Sequence, residues 1–335
     1  MTMTAPIDVA DEFGRLREVC VGIFDPDAVL APVSYSLRKY LPAELVRLTE
    51  ESAGWSLREI EGQERIEAIG RQLDTLAALY AAHGVRVHRP RRLTEFEAGF
   101  VVAGGDPMFA RDPLLVIGNR VIETSLMMPS RRKEIFAYRD LLAERLAGDP
   151  GASYVAVPHP APASPDPVIP DGAGPFLEGG DVFVLGTDVL VGNSGLASNR
   201  AGIEWLDRLL GPAGYRVHEV PLAECWLHLD CVLAVVRPGL AICHRDGLAG
   251  RVPDVLAGWD LIDATAEEAH AMGCNTVCLA PNTVVIPQEH GRLIDELRQH
   301  RAEVVSGFGF DLVSEFGGGV RCATVPLVRS RMPAN

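Results

Sequence analysis

Of the seven cysteines in the chain, Cys322 has an unusual setting: three glycines and an arginine precede it in "EFGGGVRCATVPLV", residues 315–328. Three other short stretches carry groups that could work with a thiol. They are "FARDP" with Asp112, "EGGD" with Glu178 and Asp181, and "HLD" with His228 and Asp230. A thiolate is a strong nucleophile, an imidazole moves protons near neutral pH, and carboxylates grip a planar cation through paired hydrogen bonds. A guanidinium would use all three. Each residue also has a plainer reading. An aspartate ahead of a strand commonly bonds local backbone N–H groups, a Gly pair serves a bulge or tight turn, and a histidine or cysteine in an apolar run can be core.

What separates the two readings is whether the fold brings these residues together. Four segments share one pattern, a polar residue, an apolar strand, a short turn and a second apolar strand. They are "DPLLVIGNRVIET" from Asp112, "DVFVLGTDVLVG" from Asp181, "DCVLAVVRPGLAIC" from Asp230 and "NTVCLAPNTVVIP" from Asn275. Their turn residues are those of β-hairpins. Three of the four are followed by a helical pattern and another strand, for example "NRAGIEWLDRLLG" and then "YRVHEV". An earlier unit is looser, with "REVCVGIF", a long helix bearing Ile66, Ile69, Leu73 and Leu76 on one face, and "VRVHRP". After Asp230, "DVLAGWDLIDATAEEAHAMG" reads as a helix, a strand or both. The count is about five ββαβ units, and such an array buries its faces by circling an axis. The residues opening the hairpins would then converge at one end of that axis.

Composition limits the partners. The chain has 335 residues, 47% of them hydrophobic, and a net charge of −14. That suits one large catalytic domain over residues 1–335 and argues against nucleic acid or anionic membranes, whose phosphates it would repel. No basic, apolar leader opens the sequence, and no run approaches the ~18 apolar residues of a spanning helix. A cytoplasmic protein with reduced thiols is expected, and homo-oligomerisation is left open. The Pro-rich stretch 158–175 reads as a surface linker or a lid.

Together, "FARDPLLVIGNRVIETSLMMPSRRKEIFAYRDLL", "SNRAGIEWL", "GYRVHEV", "HLDCVLAVVRPGLAI" and "FGGGVRCAT" resemble the amidinotransferases of the guanidino-modifying (pentein) superfamily. The resemblance spans about residues 13 to 330 and implies a five-bladed α/β propeller. It also implies that Cys322 is the nucleophile, His228 the general acid/base and Glu178 its carboxylate partner. Asp112 and Asp230 would hold the guanidinium, with Asp181 a further substrate-binding candidate, and neither cofactor nor metal is required. Two departures stand out. Amidinotransferases usually carry Phe-Asp-Ala-Ala where this chain has Leu177-Glu178-Gly179-Gly180, and a histidine where it has Arg321. "EGGDV", the Arg-Cys pair and "PLVR" are instead similar to arginine deiminases of the same superfamily, although the extra helical insertion usual in bacterial deiminases is not found.

The chemistry that follows begins with a cationic guanidino substrate such as arginine, which Gly317–Gly319 would admit to the sulfur and whose charge would favour thiolate over thiol. Loss of ornithine and attack by an amine acceptor is amidino transfer. Loss of ammonia or of an alkylamine followed by water is hydrolysis, of the arginine deiminase or dimethylarginine hydrolase kind. Arg245, Arg131 and Arg132 are candidates for a substrate α-carboxylate, against the plain reading of surface arginines. Two other classes are weighed against these. A zinc site drawn from Cys225, His228, Cys231, Cys274 and Cys278 is disfavoured because a three-residue step alternates faces in a strand. A non-catalytic sensor of guanidino ligands would use the same pocket without turnover.

Overall fold

The structure is a computed structural model describing residues 5–100, 104–161 and 172–331. In chain order the strands are β1 (Leu16–Val21), β2 (Arg86–His88), β3 (Leu114–Ile117), β4 (Arg120–Glu123), β5 (Ser153–Ala156), β6 (Val182–Leu185), β7 (Asp188–Asn193) and β8 (Arg216–Pro221). They continue with β9 (Leu233–Arg237), β10 (Leu240–Cys243), β11 (Asp260–Asp263), β12 (Val277–Ala280), β13 (Thr283–Val285), β14 (Glu303–Val305) and β15 (Thr324–Arg329). Among the described residues these form five three-stranded sheets, β15-β1-β2, β3-β4-β5, β6-β7-β8, β9-β10-β11 and β12-β13-β14. In every sheet the middle strand is antiparallel to one neighbour and parallel to the other. This is the five-bladed α/β propeller that the resemblance implies, with the number of units counted from the repeat.

All four hairpins form where the apolar runs and turn residues put them. Two turns show why those residues are needed, since Gly239 and Asn282 take φ of 83° and 69°, a left-handed conformation that glycine and asparagine reach most easily. Strands β3 and β10 are buried at every position, so their Leu/Ile/Val runs lack an exposed polar face. The helix Gln63–Ala82 buries Ile66, Ile69, Leu73, Leu76 and Tyr80 on one side, each side chain contributing about 1.5–3 kcal/mol by leaving water.

Two units differ from the plain ββαβ scheme. The loose first unit lacks its opening strand because the C-terminal segment supplies it, with β15 pairing antiparallel to β1. Cys322, two residues ahead of β15, is thereby brought into register with the residues that open the other hairpins. The unit after Asp230 contains both elements left open by the sequence, but in the order strand then helix. Only short 3-10 turns lie between β10 and β11, and the helix Ala266–His270 follows. The Pro-rich stretch 158–175 falls largely on 162–171, outside the described residues. No helix among the described residues is long and apolar enough to cross a membrane.

A ring of hydrogen bonds joins the blades where the hairpins begin. Gly180 N–H donates to Asp112 Oδ1 at 3.1 Å, and Leu229 N–H to Asp181 Oδ1 at 2.9 Å. Asn275 Nδ2 donates to the Asp230 carbonyl at 3.2 Å, and Cys322 N–H to Asn275 Oδ1 at 3.0 Å. Arg111 N–H closes the circuit on the Cys322 carbonyl at 2.9 Å. Each blade's opening residue therefore fixes the next, and convergence at the axis has a physical cause in these contacts.

Candidate active site

A cavity of about 200 Å³ at this end of the axis is lined by Cys322, His228 and Asp112, together with Arg131, Glu134, Asp106 and Phe109. Its other wall comes from residues 28–57, including Ser34, Leu37 and Tyr40. That segment holds the helices Tyr35–Tyr40 and Ala43–Glu51, the first capped by Ser34, whose hydroxyl accepts from Leu37 N–H at 3.3 Å. Tyr40 fastens it to the nucleophile loop through Gly317 O at 3.4 Å. A larger cavity of about 830 Å³ shares Tyr40 and Gly317 with this one but includes none of the candidate residues.

The thiol and imidazole have distinct surroundings. Cys322 Sγ donates to Asp230 Oδ2 at 3.7 Å and accepts from Asn275 Nδ2 at 3.1 Å. Burial pushes the thiol pKa well above its ordinary value, and Asp230, Asp112 and Cys231 push the same way. The resting sulfur is thus protonated, and a bound cation would favour its ionisation. His228 Nε2 meets Glu178 Oε2 at 2.9 Å, while Nδ1 lies 3.9 Å from Asp112 Oδ1. Burial alone would lower the His228 pKa, but Asp112, Glu178 and Asp181 raise it to about 10. Glu178 is itself anchored, since its Oε1 accepts from Met127 N–H at 2.9 Å.

The carboxylates divide into three kinds. Asp230 is fully buried, one oxygen 3.0 Å from Arg321 Nη1 and the other, Oδ1, without a hydrogen-bond partner among the described residues. Burial raises its pKa against the opposing pull of Arg321 and His228. Asp112 faces the cavity, where its Oδ2 is 2.8 Å from Arg131 Nη1. Burial would raise its pKa, yet His228 and Arg131 hold it below the usual value. Asp181 lies behind the cavity with both oxygens occupied, by Leu229 N–H at 2.9 Å and Ser198 N–H at 3.1 Å. Its geometry is that of a blade clamp, and like the fully buried Asp230 and Glu178 it is absent from the cavity lining.

Arg245 needs correction as a carboxylate-binding candidate. Its side chain is half exposed and paired with Asp263 at 2.5 Å, and it does not line the cavity. Short 3-10 turns in place of a helix after β10 carry it to the surface. Arg132 also lies outside the lining, with its Nε on the Leu126 carbonyl at 2.9 Å. Arg131 does line the cavity, but Glu134 holds its Nε at 2.8 Å and Nη2 at 2.9 Å while Asp112 holds Nη1.

Gly318 and Gly319 also serve a purpose besides the one expected. A Cβ at 318 would lie 2.5 Å from a Phe109 ring carbon, and one at 319 would lie 2.7 Å from Asn275 Oδ1. Bare backbone is required first by these protein neighbours; Gly317 and Gly318 line the cavity as well. Arg321 points into the axis, its guanidinium carbon 3.8 Å from the centre of the Phe183 ring, so it does not stand in the cavity. The cysteines of the zinc reading are dispersed: Cys225 is exposed, and the buried Cys231 lies 3.8 Å from Tyr40 Oη. Among the described residues, the potential ligand atoms that cluster within 4.8 Å belong to Asp112, Glu178 and His228, with no cysteine.

Comparison with known proteins separates the parts of the chain. The family profile described as arginine deiminase matches residues 251–329. An L-arginine:L-lysine amidinotransferase of Pseudomonas savastanoi pv. phaseolicola is 27% identical, over 97% of this chain and 95% of that one. Inosamine-phosphate amidinotransferase 1 of Streptomyces glaucescens is 30% identical over 66% of this chain and 67% of its own length. The chain belongs to the amidinotransferase family. A solved amidinotransferase from Microseira wollei, of the saxitoxin biosynthetic pathway, has the same fold, with a TM-score of 0.81, 24% identity and 99% of both chains covered. Within this amidinotransferase chain, the deiminase-like match includes the stretch "VRCATVPLVR", where the mixed motifs were read.

The sequence reading did not assign a role to Asn275, Glu134, Phe109 or the covering segment 28–57. Asn275 was visible as the residue opening the fourth hairpin. The others carry no spacing signal, because their positions depend on tertiary contacts.

Proposed function

We propose that all five blades form a single catalytic domain that transfers an amidino group from arginine to an amine through a covalent amidino-Cys322 intermediate. The observation that carries this is the placing of Cys322 in one cavity with Asp112 and His228, its Sγ 3.7 Å from Oδ2 of Asp230, which lies buried behind it. Asp112 and Asp230 grip the guanidinium, and its charge assists ionisation of the thiol. The thiol proton passes to Asp230. As the new sulfur–carbon bond forms and the bond to the ornithine nitrogen breaks, His228, protonated at rest, supplies a proton to that nitrogen. The second half reverses these steps: the acceptor amine attacks the amidino carbon, neutral His228 takes its proton, and the sulfur–carbon bond breaks. Seven unpaired cysteines suit a reducing, cytoplasmic setting.

The deiminase-type match over 251–329, together with "EGGD", favours hydrolysis as the second reading. Incubation with arginine alone and then with lysine, glycine or an amino-cyclitol separates the two. Ornithine and a guanidinylated amine, formed only when both substrates are present, are expected. Citrulline and ammonia from arginine alone would replace transfer by deimination. Ornithine and urea would point to the hydrolase that releases the alkylamine, and absence of turnover would favour a sensor or another guanidine.

A further inference from the structure

Three of the four hairpin-opening positions are aspartates, Asp112, Asp181 and Asp230, whereas the fourth is an amide, Asn275. Asp112 and Asp181 each use Oδ1 to accept an N–H from the following blade. Asn275 does the same with Oδ1, at 2.8 Å from Arg321 N and 3.0 Å from Cys322 N. Its other half does something a carboxylate cannot: Nδ2 donates to the Asp230 carbonyl at 3.2 Å and to Cys322 Sγ at 3.1 Å. All four hydrogen-bonding valences of the amide are filled, and the side chain is fully buried.

We propose that Asn275 acts directly on the Cys322 sulfur, holding it in line with the cavity and stabilising its thiolate through the Nδ2–H···Sγ hydrogen bond. The need for such a donor follows from the charges around the sulfur. Asp230 and Asp112 set carboxylates near it, the buried Cys231 and Tyr40 offer no cation because burial holds both in their protonated forms, and the nearby cations Arg321 and His228 are engaged by Asp230, Glu12 and Glu178. An aspartate at 275 would add another negative charge against the sulfur. An amide keeps the clamp on the next blade and turns a donor towards the nucleophile. Gly319 completes the arrangement, since any Cβ there would displace the amide.

The role builds on the proposed reaction, but its test needs no turnover. The rate of Cys322 alkylation by iodoacetamide, followed by peptide mass spectrometry from neutral to alkaline pH, is compared in wild type, Asn275→Asp and Asn275→Ala. Cys322→Ser serves as the blank. Losing a hydrogen bond to a charged sulfur should slow alkylation about tenfold or more at a given pH. A purely structural role has the opposite sign, because a loosened loop exposes the thiol and speeds its reaction. Alkylation at the wild-type rate or faster in either folded variant overturns the proposal. Should both variants fail to fold, the wild-type protein still decides. The side-chain amide resonance of Asn275 is expected to titrate over the pH range in which Cys322 alkylation rises, and a flat resonance overturns it. Absence of amidino transfer by the wild-type protein, alongside the expected slowing of alkylation in the variants, would count against the proposed function and leave the role of Asn275 intact.

Discussion

Neutralising Glu178 tests how the site tunes its acid. In Glu178→Gln, the Met127 N–H keeps an acceptor while the contact between Glu178 Oε2 and His228 Nε2, 2.9 Å in the wild type, loses its charge. Burial opposes the His228 charge, and Asp112, Glu178 and Asp181 together hold its pKa at about 10. A hydrogen bond between charged groups contributes about 1.5–3 kcal/mol, and at 1.36 kcal/mol per pH unit the alkaline limb should move down by roughly one to two units. The direction is fixed, because a general acid loses activity as pH rises through its pKa. Stability should follow the same sign. With the folded pKa above the unfolded value, the contribution is full below about pH 6.5 and is lost as pH rises through about 10. The assay is kcat/KM for arginine and its acceptor across the alkaline range, with urea denaturation at the two ends of that window. An alkaline limb left in place in the folded variant would refute the assignment of His228 as the acid and Glu178 as its partner.

Other substitutions probe the remaining parts of the site. Asp112→Asn retains an acceptor for Gly180 N–H but loses the charge that meets Arg131 and, in the proposed complex, the guanidinium. We expect at least a tenfold fall in kcat/KM with an unchanged circular dichroism spectrum, and full activity would remove Asp112 from the site. Arg321→Met leaves the buried carboxylates of Glu12 and Asp230 without their shared cation, so urea denaturation should show a loss of about 3–5 kcal/mol. A loss below about 1 kcal/mol would mean that this ion-pair network is not holding the axis. Gly318→Ala drives a Cβ into the Phe109 ring, and thermal melts should reveal a cost of about 1–3 kcal/mol. An unshifted melt would show that the contact relaxes freely.

Much of this architecture was legible because it is local. Apolar strands with Gly-Asn, Gly-Thr-Asp, Arg-Pro-Gly and Pro-Asn turns marked the four hairpins, and their opening residues indicated which side chains would meet. The first blade was obscure because its missing strand, Thr324–Arg329, lies more than three hundred residues from Leu16, its partner. Asp181 and Arg245 illustrate the limit at the site. Sequence supplied the right chemistry at both positions, but only the fold shows that two backbone N–H groups occupy Asp181 and that Arg245 is turned to the surface. Glycines ahead of Cys322 announced close approach without saying to what, and Phe109 and Asn275 proved to be the neighbours.

The most direct test of the central claim is intact-protein mass spectrometry of enzyme quenched after mixing with arginine in the absence of an amine. Wild-type protein should gain the mass of one amidino group, mapped to Cys322, and lose it on addition of an acceptor that becomes guanidinylated. An adduct retaining the whole arginine carbon skeleton would mean that ammonia left first, as in deimination, and would contradict amidino transfer. An adduct on another cysteine would contradict the assignment of Cys322 as the nucleophile.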